Sequence, residues 1–177
     1  MTGITDEYSG YMTALNTDVK GDFSDIYPNT RMVLENYVDY TWVFPKSPHR
    51  ANIGIGWAQR DLPTDYMEAF KQACERNGGP IPSREQTNVA IIPQGPSLTP
   101  SRVYVPELNV VRVSDAAGIA TRFSGKGISQ AVHSAYIMAD HAADGRLAEY
   151  PATLHETMRP EYLLAHVVRG VLESHRP

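Results

Sequence analysis

Alternation of polar and apolar residues in the first third of the chain predicts β-strands. Residues 39–45 (DYTWVFP) and 51–58 (ANIGIGWA) are the most regular, because both are rich in aromatic and β-branched side chains. The turn residues 46–50 (KSPHR) separate them, so we expect the pair to form a hairpin. Shorter apolar segments predict further strands at residues 11–16, 31–34, 88–92, 102–105 and 109–113.

A helical period of apolar residues predicts helices later in the chain. One helix follows residues 62–65 (LPTD), which suit a helix start, and ends before residues 77–80 (NGGP). A second is predicted over about residues 127–145, and two further helical stretches at residues 151–158 and 161–174. The second helix has one apolar face: Ile128, Ala131, Val132, Ala135, Met138, Ala139 and Ala142. The last stretch has an apolar stripe, interpreted as a docking surface: Leu164, Val167, Val168 and Val171.

The composition is that of an ordinary globular protein. Hydrophobic residues make up 42% of the 177 residues, charged residues make up 20%, and the formal net charge is −4. A nucleic-acid-binding protein usually carries a basic surplus, so nucleic acid is not an expected partner. The sequence has neither an apolar run of the roughly 18 residues that a membrane span needs nor an N-terminal leader pattern. Its single cysteine, Cys74, cannot form an internal disulfide. We therefore expect a cytoplasmic protein with at most peripheral membrane contact.

Residues 114–118 (SDAAG) are the strongest candidate for a ligand site. They follow the predicted strand 109–113 and lead to Gly125-Lys126-Gly127 at the start of the long helix. An acid after a strand can accept hydrogen bonds from ligand hydroxyls, and the glycines leave the first helical N–H groups uncovered. From the residues alone a second interpretation stays equally open, in which Asp115 caps a turn and the glycines only shape the loop.

This segment resembles the second flavin-binding motif of FAD-dependent oxidoreductases with a para-hydroxybenzoate-hydroxylase-like fold, and most of all that of the geranylgeranyl reductases. The resemblance implies that Asp115 binds the ribityl chain of FAD and that the helix start faces the pyrimidine side of the flavin ring. Where the family pattern has a glycine and a proline, this sequence has Ser114 and Arg122. The implied cofactor-binding residues are Asp115, Ala116, Gly118, Gly125, Lys126, Gly127 and Ile128.

The segment Tyr40-Thr41-Trp42-Val43-Phe44-Pro45 places three aromatic rings on one face of a strand. Periodicity alone favours sheet core for these rings. The YxWxFP pattern, however, resembles the signature of the geranylgeranyl reductases, in which these residues line the cavity for the isoprenoid chain. The following strand fits the same family pattern. The implied substrate-binding residues are Tyr40, Trp42, Phe44, Pro45, Gly54 and Gly56.

The expected fold class is α/β: an antiparallel substrate-domain sheet, followed by the last strand and helices of an FAD-binding Rossmann-like domain. We expect a partial substrate-binding sheet domain with one helix at residues 1–105, an FAD-binding strand–loop–helix at 106–145, and C-terminal helices at 146–177. The sequence contains no GxGxxG motif, which such a flavoprotein uses to hold the adenosine half of FAD. The resemblance therefore implies the C-terminal portion of a reductase whose N-terminal part is missing.

The implied activity is the FAD-dependent reduction of isoprenoid (geranylgeranyl-type) double bonds, with hydride from flavin N5. The implied partners are a prenyl-lipid substrate, a separate N-terminal flavoprotein half, and ferredoxin or NAD(P)H as electron donor. No catalytic proton donor is identified. The six histidines lack metal-ligand spacing, so no metal is expected. Two alternatives remain open: a flavin monooxygenase, and a non-catalytic remnant that binds lipid or a partner.

Overall fold

The computed structural model describes residues 10–35, 39–58, 61–93, 103–121 and 123–175. These residues form two compact units, one mainly of Met12–Ile91 and the other mainly of Ile92–Ser174. Val103 is fully buried in the same apolar cluster as Ala117 and Tyr150 of the second unit. The domain boundary expected after residue 105 stays a prediction.

The first unit is built on a sheet with the strand order β2–β3–β4–β1–β5. The hairpin of β3 and β4 forms as predicted and is antiparallel, as are the pairs β1–β4 and β2–β3. This confirms the expected antiparallel sheet. The strands are β1 Tyr11–Lys20, β2 Arg31–Glu35, β3 Asp39–Ser47, β4 Arg50–Ala58 and β5 Asn88–Pro93.

Helix α1, Tyr66–Arg76, covers one face of this sheet. It begins where predicted, because the Asp65 carboxylate accepts a hydrogen bond from the Glu68 backbone N–H at 3.0 Å. Phe70 and Cys74 are fully buried against strand residues of the first core cluster. Burial raises the pKa of the Cys74 thiol to about 12, so the thiol is protonated at neutral pH and acts as a packing residue.

The second unit begins with two short strands. β6 Tyr104–Val105 pairs antiparallel with β7 Val110–Val111. The strand predicted at residues 109–113 is therefore shorter than expected. Asn109 has a left-handed backbone (φ 49°) after a 3-10 turn at Pro106–Leu108, which delays the strand start, and a second 3-10 turn over Ser114–Ala117 follows.

Two helices complete this unit: α2 Ile128–Ala143 and α3 Tyr150–Ser174. The prediction of two separate helical stretches after residue 150 is wrong, because α3 continues through Pro160. A proline inside a helix costs roughly 3 kcal/mol. Here Met158 and Tyr162, on either side of Pro160, are both buried in one cluster, and this packing offsets the cost. The predicted stripe faces away from that cluster, since Leu164, Val167 and Val171 are more than half exposed.

The buried residues of α2 do not lie on its apolar face. They are polar, namely Gln130, Ser134 and His141. Their polar atoms are satisfied: Gln130 Nε2 donates to Glu161 Oε2 at 3.0 Å, and the His141 ring nitrogens contact the Ile137 carbonyl and the Thr153 hydroxyl. The apolar face is exposed at Ile128, Val132 and Tyr136.

Candidate functional site

An aromatic row lies on the sheet face opposite α1. The ring centroids of Tyr40 and Trp42 are 5.7 Å apart, and those of Trp42 and Phe44 are 6.0 Å apart. Tyr40 is buried, Trp42 is half-buried and Phe44 is 39% exposed, so the row becomes more exposed along the strand. Burial raises the pKa of Tyr40 to about 12. The row is therefore uncharged at neutral pH and suits an apolar ligand.

Gly54 and Gly56 make room for this row. They lie opposite Trp42 and Tyr40 in the β3–β4 register. A Cβ at Gly54 would overlap the Trp42 indole, and one at Gly56 would come within 3.3 Å of Met12 Cε. The close approach that glycines in this strand permit is thus used by the aromatic side chains. Direct contact of either glycine with a substrate stays a prediction.

Pro45 is placed differently from the other predicted substrate-binding residues. It lies opposite the buried Ala51, and strand alternation points it away from the aromatic row. The pairing register of β3 and β4 shifts between Pro45 and Ser47, so the proline stands where regular pairing ends. Its place indicates a structural role, and a substrate contact there stays a prediction.

Two residues of β2 extend the apolar surface and were not found by sequence reasoning. Met32 lies opposite Trp42 and Leu34 lies opposite Tyr40, and both are about half exposed. Residues that pair directly across antiparallel strands point to the same face. The pairing of β2 with β3 was not predicted, and without it these two apolar residues could not be assigned to this face.

A polar cluster borders the Phe44 end of the row. Asp18 Oδ2 accepts from Lys46 Nζ at 2.5 Å and lies 3.5 Å from Arg50 Nη2, and Asp18 Oδ1 accepts from Asn52 Nδ2 at 3.0 Å. The hydrogen bonds from Lys46 and Asn52 lower the pKa of Asp18. The open face of the first unit is therefore apolar at one end and hydrogen-bonded and charged at the other.

The SDAAG segment of the second unit forms a 3-10 turn, in which Asp115 and Ala116 are exposed and Gly118 is buried. The 3-10 turn has no side-chain cap hydrogen bond, and a ligand contact of Asp115 stays a prediction. A Cβ at Gly127 would lie 3.4 Å from Asp115 Oδ1, so the carboxylate stands beside the start of α2. Gly127 leaves that start without a side-chain cap, and Ile128 is 85% exposed.

The loop before α2 is held by its own side chains. The Thr121 and Ser124 hydroxyls are 2.8 Å apart, and Thr121 Oγ1 accepts from the Lys126 backbone N–H at 3.2 Å. Gly125 has a left-handed backbone (φ 64°), which explains the glycine there. Lys126 Nζ forms an ion pair with Glu161 at 2.9 Å, so its charge is partly neutralised. Arg122 lies outside the described residues.

Two tyrosine hydroxyls of helix α3 hydrogen-bond to the chain on either side of the 3-10 turn at Ser114–Ala117. Sequence reasoning did not find this feature. The buried Tyr150 hydroxyl donates to the Arg112 carbonyl, and the buried Tyr162 hydroxyl donates to the Ile119 carbonyl, both at 3.0 Å. These carbonyls precede and follow the turn. Burial raises the pKa of Tyr150 to about 12 and also raises that of Tyr162, so both hydroxyls remain donors at neutral pH.

Comparison with curated proteins shows similarity to archaeal lipid reductases. Over 109 residues, 59% of the chain, it is 34% identical to digeranylgeranylglycerophospholipid reductase 1 of Methanococcoides burtonii. Over 132 residues, 72% of the chain, it is 31% identical to digeranylgeranylglycerophospholipid reductase 2 of Methanothermobacter thermautotrophicus. The chain is a relative of the geranylgeranyl reductases. The chain spans 25% and 31% of the length of these two relatives, and no family model matches it.

The fold of this chain also occurs in solved structures. A geranylgeranyl bacteriochlorophyll reductase-like protein of Thermoplasma acidophilum matches 92% of the chain with a TM-score of 0.68 and 20% identity, and the chain covers 43% of it. Klebsiella pneumoniae HpxO, solved with FAD as an R204Q variant, matches 94% with a TM-score of 0.57 and 18% identity, and the chain covers 46% of it. These likenesses confirm the expected fold class.

The turn before Asp115 contains a serine in the left-handed conformation. Ser114 has φ 55°, a conformation in which glycine is favoured and which corresponds to the glycine of the family pattern. The Ser114 backbone N–H donates to Ser134 Oγ at 3.1 Å, which ties the turn to α2. The turn is therefore formed with a serine where the family pattern has a glycine.

In the described part of the chain, no helix combines the length and the apolar character needed to cross a membrane.

Proposed function

We propose that this chain is the C-terminal part of an FAD-dependent oxidoreductase that reduces isoprenoid double bonds of the geranylgeranyl type. The observation that carries the proposal is the aromatic row of Tyr40, Trp42 and Phe44, which lies over Gly54 and Gly56 on the sheet face opposite α1. The names of the curated relatives, all reductases of a prenylated glycerophospholipid, support the substrate class.

A row of this kind suits an isoprenoid chain for physical reasons. The rings are uncharged, and Met32 and Leu34 widen the apolar surface around them. Removing apolar surface from water yields about 25 cal/mol per Å², so a branched hydrocarbon gains affinity in proportion to the area it covers. Aromatic rings fixed by their neighbours lose little conformational freedom on binding. The row thus binds and orients hydrocarbon without needing a charged group.

The second unit fits the ribityl side of FAD. Asp115 would accept hydrogen bonds from ribityl hydroxyls, and the uncapped start of α2 at Gly127 offers N–H donors to an electron-rich ring edge. Bound and reduced, FAD supplies a hydride from N5 to an alkene. We assign no proton donor. The electron donor would be ferredoxin or NAD(P)H, and the sequence favours neither.

A separate N-terminal flavoprotein half, which carries the GxGxxG motif, would hold the adenosine half of the cofactor. The exposed apolar face of α2 supports such a partner, since Ile128, Val132 and Tyr136 follow one another on one side of the helix and are 85%, 61% and 71% exposed. The solved neighbours, of which this chain covers less than half, support it as well. The complementing part would cover this face.

We propose a cytoplasmic location with at most peripheral membrane contact. The exposed residues Leu164, Val167 and Val171 on α3 support an apolar docking stripe.

Two alternative functions are each favoured by a separate observation. A flavin monooxygenase is favoured by the fold shared with Pseudomonas aeruginosa pqsL, a probable FAD-dependent monooxygenase that matches this chain with a TM-score of 0.57. A non-catalytic lipid- or partner-binding remnant is favoured by Ser114 in the place of a glycine.

The visible spectrum of the purified protein, together with analysis of the lipid product, separates these possibilities. The chain would be prepared alone and together with a second polypeptide that carries GxGxxG, and flavin absorbance would be measured in both samples. We expect flavin only in the second sample, followed by reduction of a geranylgeranyl lipid when electrons are supplied. Flavin incorporation with hydroxylation and no alkene reduction would favour the monooxygenase. No flavin in either sample would favour the remnant.

A further inference from the structure

Asn52 connects the aromatic row to the polar cluster on the open face of the sheet. Its Oδ1 accepts a hydrogen bond from Trp42 Nε1 at 2.9 Å. Its Nδ2 donates to Asn16 Oδ1 at 3.2 Å and to Asp18 Oδ1 at 3.0 Å. The side chain amide therefore uses both its acceptor and its donors within one face of the sheet.

The charge around Asp18 fixes the direction of this amide. Asp18 is held ionised by Lys46 and Asn52, which lower its pKa. If the amide of Asn52 were flipped, its oxygen would face the Asp18 carboxylate and its NH₂ group would face the Trp42 N–H. Both contacts would then be repulsive. The acceptor of Asn52 is thus directed at Trp42 by the polar cluster.

The other contacts of the Trp42 ring are van der Waals and ring contacts. The indole packs on Gly54, and its centroid lies 5.7 Å from that of Tyr40 and 6.0 Å from that of Phe44, which is 39% exposed. Among the described contacts of the ring, the bond to Asn52 is the one with a defined direction. A half-buried indole that loses this bond gains access to other rotamers, because water can then satisfy its N–H.

We propose that Asn52 is a positioning residue that holds the Trp42 indole over Gly54 and so keeps the hydrocarbon-binding face in one shape before ligand arrives. The hydrocarbon part of this inference rests on the proposed function, whereas the ordering of the indole does not. A neutral side-chain hydrogen bond of this type corresponds to a change of roughly 2- to 10-fold in an equilibrium. We expect an Asn52→Ala change to weaken hydrocarbon binding by about this factor.

The first readout is the indole N–H signal of Trp42 in a ¹H–¹⁵N NMR spectrum of the whole chain. Trp57, which is buried in the core, supplies an internal reference, and a Trp42→Phe spectrum assigns the two signals. In Asn52→Ala we expect the Trp42 signal to shift and its hydrogen exchange with solvent to accelerate, with the Trp57 signal unchanged. Asn88→Ala is the matched control, because Asn88 joins the same cluster through Asn16 without touching Trp42.

The second readout is the affinity for geranylgeraniol in a double-mutant cycle of Asn52→Ala and Trp42→Phe. Because phenylalanine has no N–H, Asn52→Ala should have no further effect in the Trp42→Phe background. Unchanged Trp42 exchange in Asn52→Ala would overturn the positioning role whatever the ligand does, and so would additive losses in the cycle. A third outcome separates the two proposals. If Trp42 exchange accelerates in Asn52→Ala but the parent chain does not bind geranylgeraniol, the ordering of the indole is upheld and the proposed hydrocarbon site is refuted.

Discussion

The two units build their candidate sites by different physical means. The sheet face of the first unit depends on side chains, since Trp42 over Gly54 is fixed by ring contacts and by Asn52. The turn of the second unit depends on backbone conformation, since Ser114 and Gly118 are left-handed around Asp115. The first site is therefore a surface that is formed before a ligand binds. The second offers an acid and helical N–H groups that can form hydrogen bonds with a ligand.

The largest expected effect concerns the acid of the second site. In the complemented enzyme, Asp115→Ala should lower FAD affinity by about 1.5–3 kcal/mol, because a charge-assisted hydrogen bond is lost. Flavin titration followed by fluorescence measures this. Asp144→Ala, an acid just after the other end of α2, is the control and should leave FAD affinity unchanged. Equal FAD affinity in Asp115→Ala and the parent would remove Asp115 from the cofactor site.

The next effect tests whether the first site depends on side-chain fit. Gly54→Ala should destabilise the fold by about 1–3 kcal/mol, because the added methyl group overlaps the Trp42 indole. Urea unfolding measures the free energy. In a Trp42→Ala background the same change should cost much less, since the overlap is gone. Gly170→Ala, where an added methyl meets no neighbour within 4 Å, is the matched control.

The backbone of the second site predicts a smaller effect of opposite sign. Ser114→Gly should stabilise the fold by about 0.5–1 kcal/mol, because glycine adopts the left-handed conformation without strain. Urea unfolding again measures the change. Ser129→Gly in the first turn of α2 is the contrast and should destabilise. A loss of stability in Ser114→Gly would mean that this turn is not strained by its serine.

The smallest effect is the pH dependence of the polar cluster. The folded pKa of Asp18 lies below its ordinary value, so its contribution to stability is present above that ordinary value and is lost as the pH falls through the folded pKa. Asp18→Asn should therefore remove part of the acid-induced loss of stability below about pH 4. Thermal unfolding between neutral and acidic pH checks this, and identical pH profiles for parent and variant would contradict it.

Sequence reasoning found the elements that local signals specify. The β3–β4 hairpin and helix α1 follow from alternation, turn residues and the Asp65 cap. It missed the continuity of α3, because the packing of Met158 and Tyr162 overrides the local preference of Pro160. It found the apolar face of α2 but not which face of the helix is buried, since apolar periodicity identifies an apolar face and does not say what covers it.

For the candidate site, motifs located the aromatic row and Asp115 but not the residues that support them. Asn52, Met32 and Leu34 are recognised only when the strand register is known, because they act across strands. Tyr150 and Tyr162 hold the turn through backbone carbonyls more than 35 residues away along the chain, and such contacts leave no local pattern.

The central claim is that this chain takes part in hydrogenating an isoprenoid chain held on its aromatic row. The most direct measurement is mass spectrometry of a geranylgeranyl lipid incubated with the flavin-loaded, complemented protein and an electron donor, with Trp42→Ala compared to the parent. We expect the parent to add hydrogen across lipid double bonds and Trp42→Ala to lose most of this activity while retaining flavin. A flavin-loaded protein that leaves the lipid unreduced, or that reduces it equally well without Trp42, would contradict the claim.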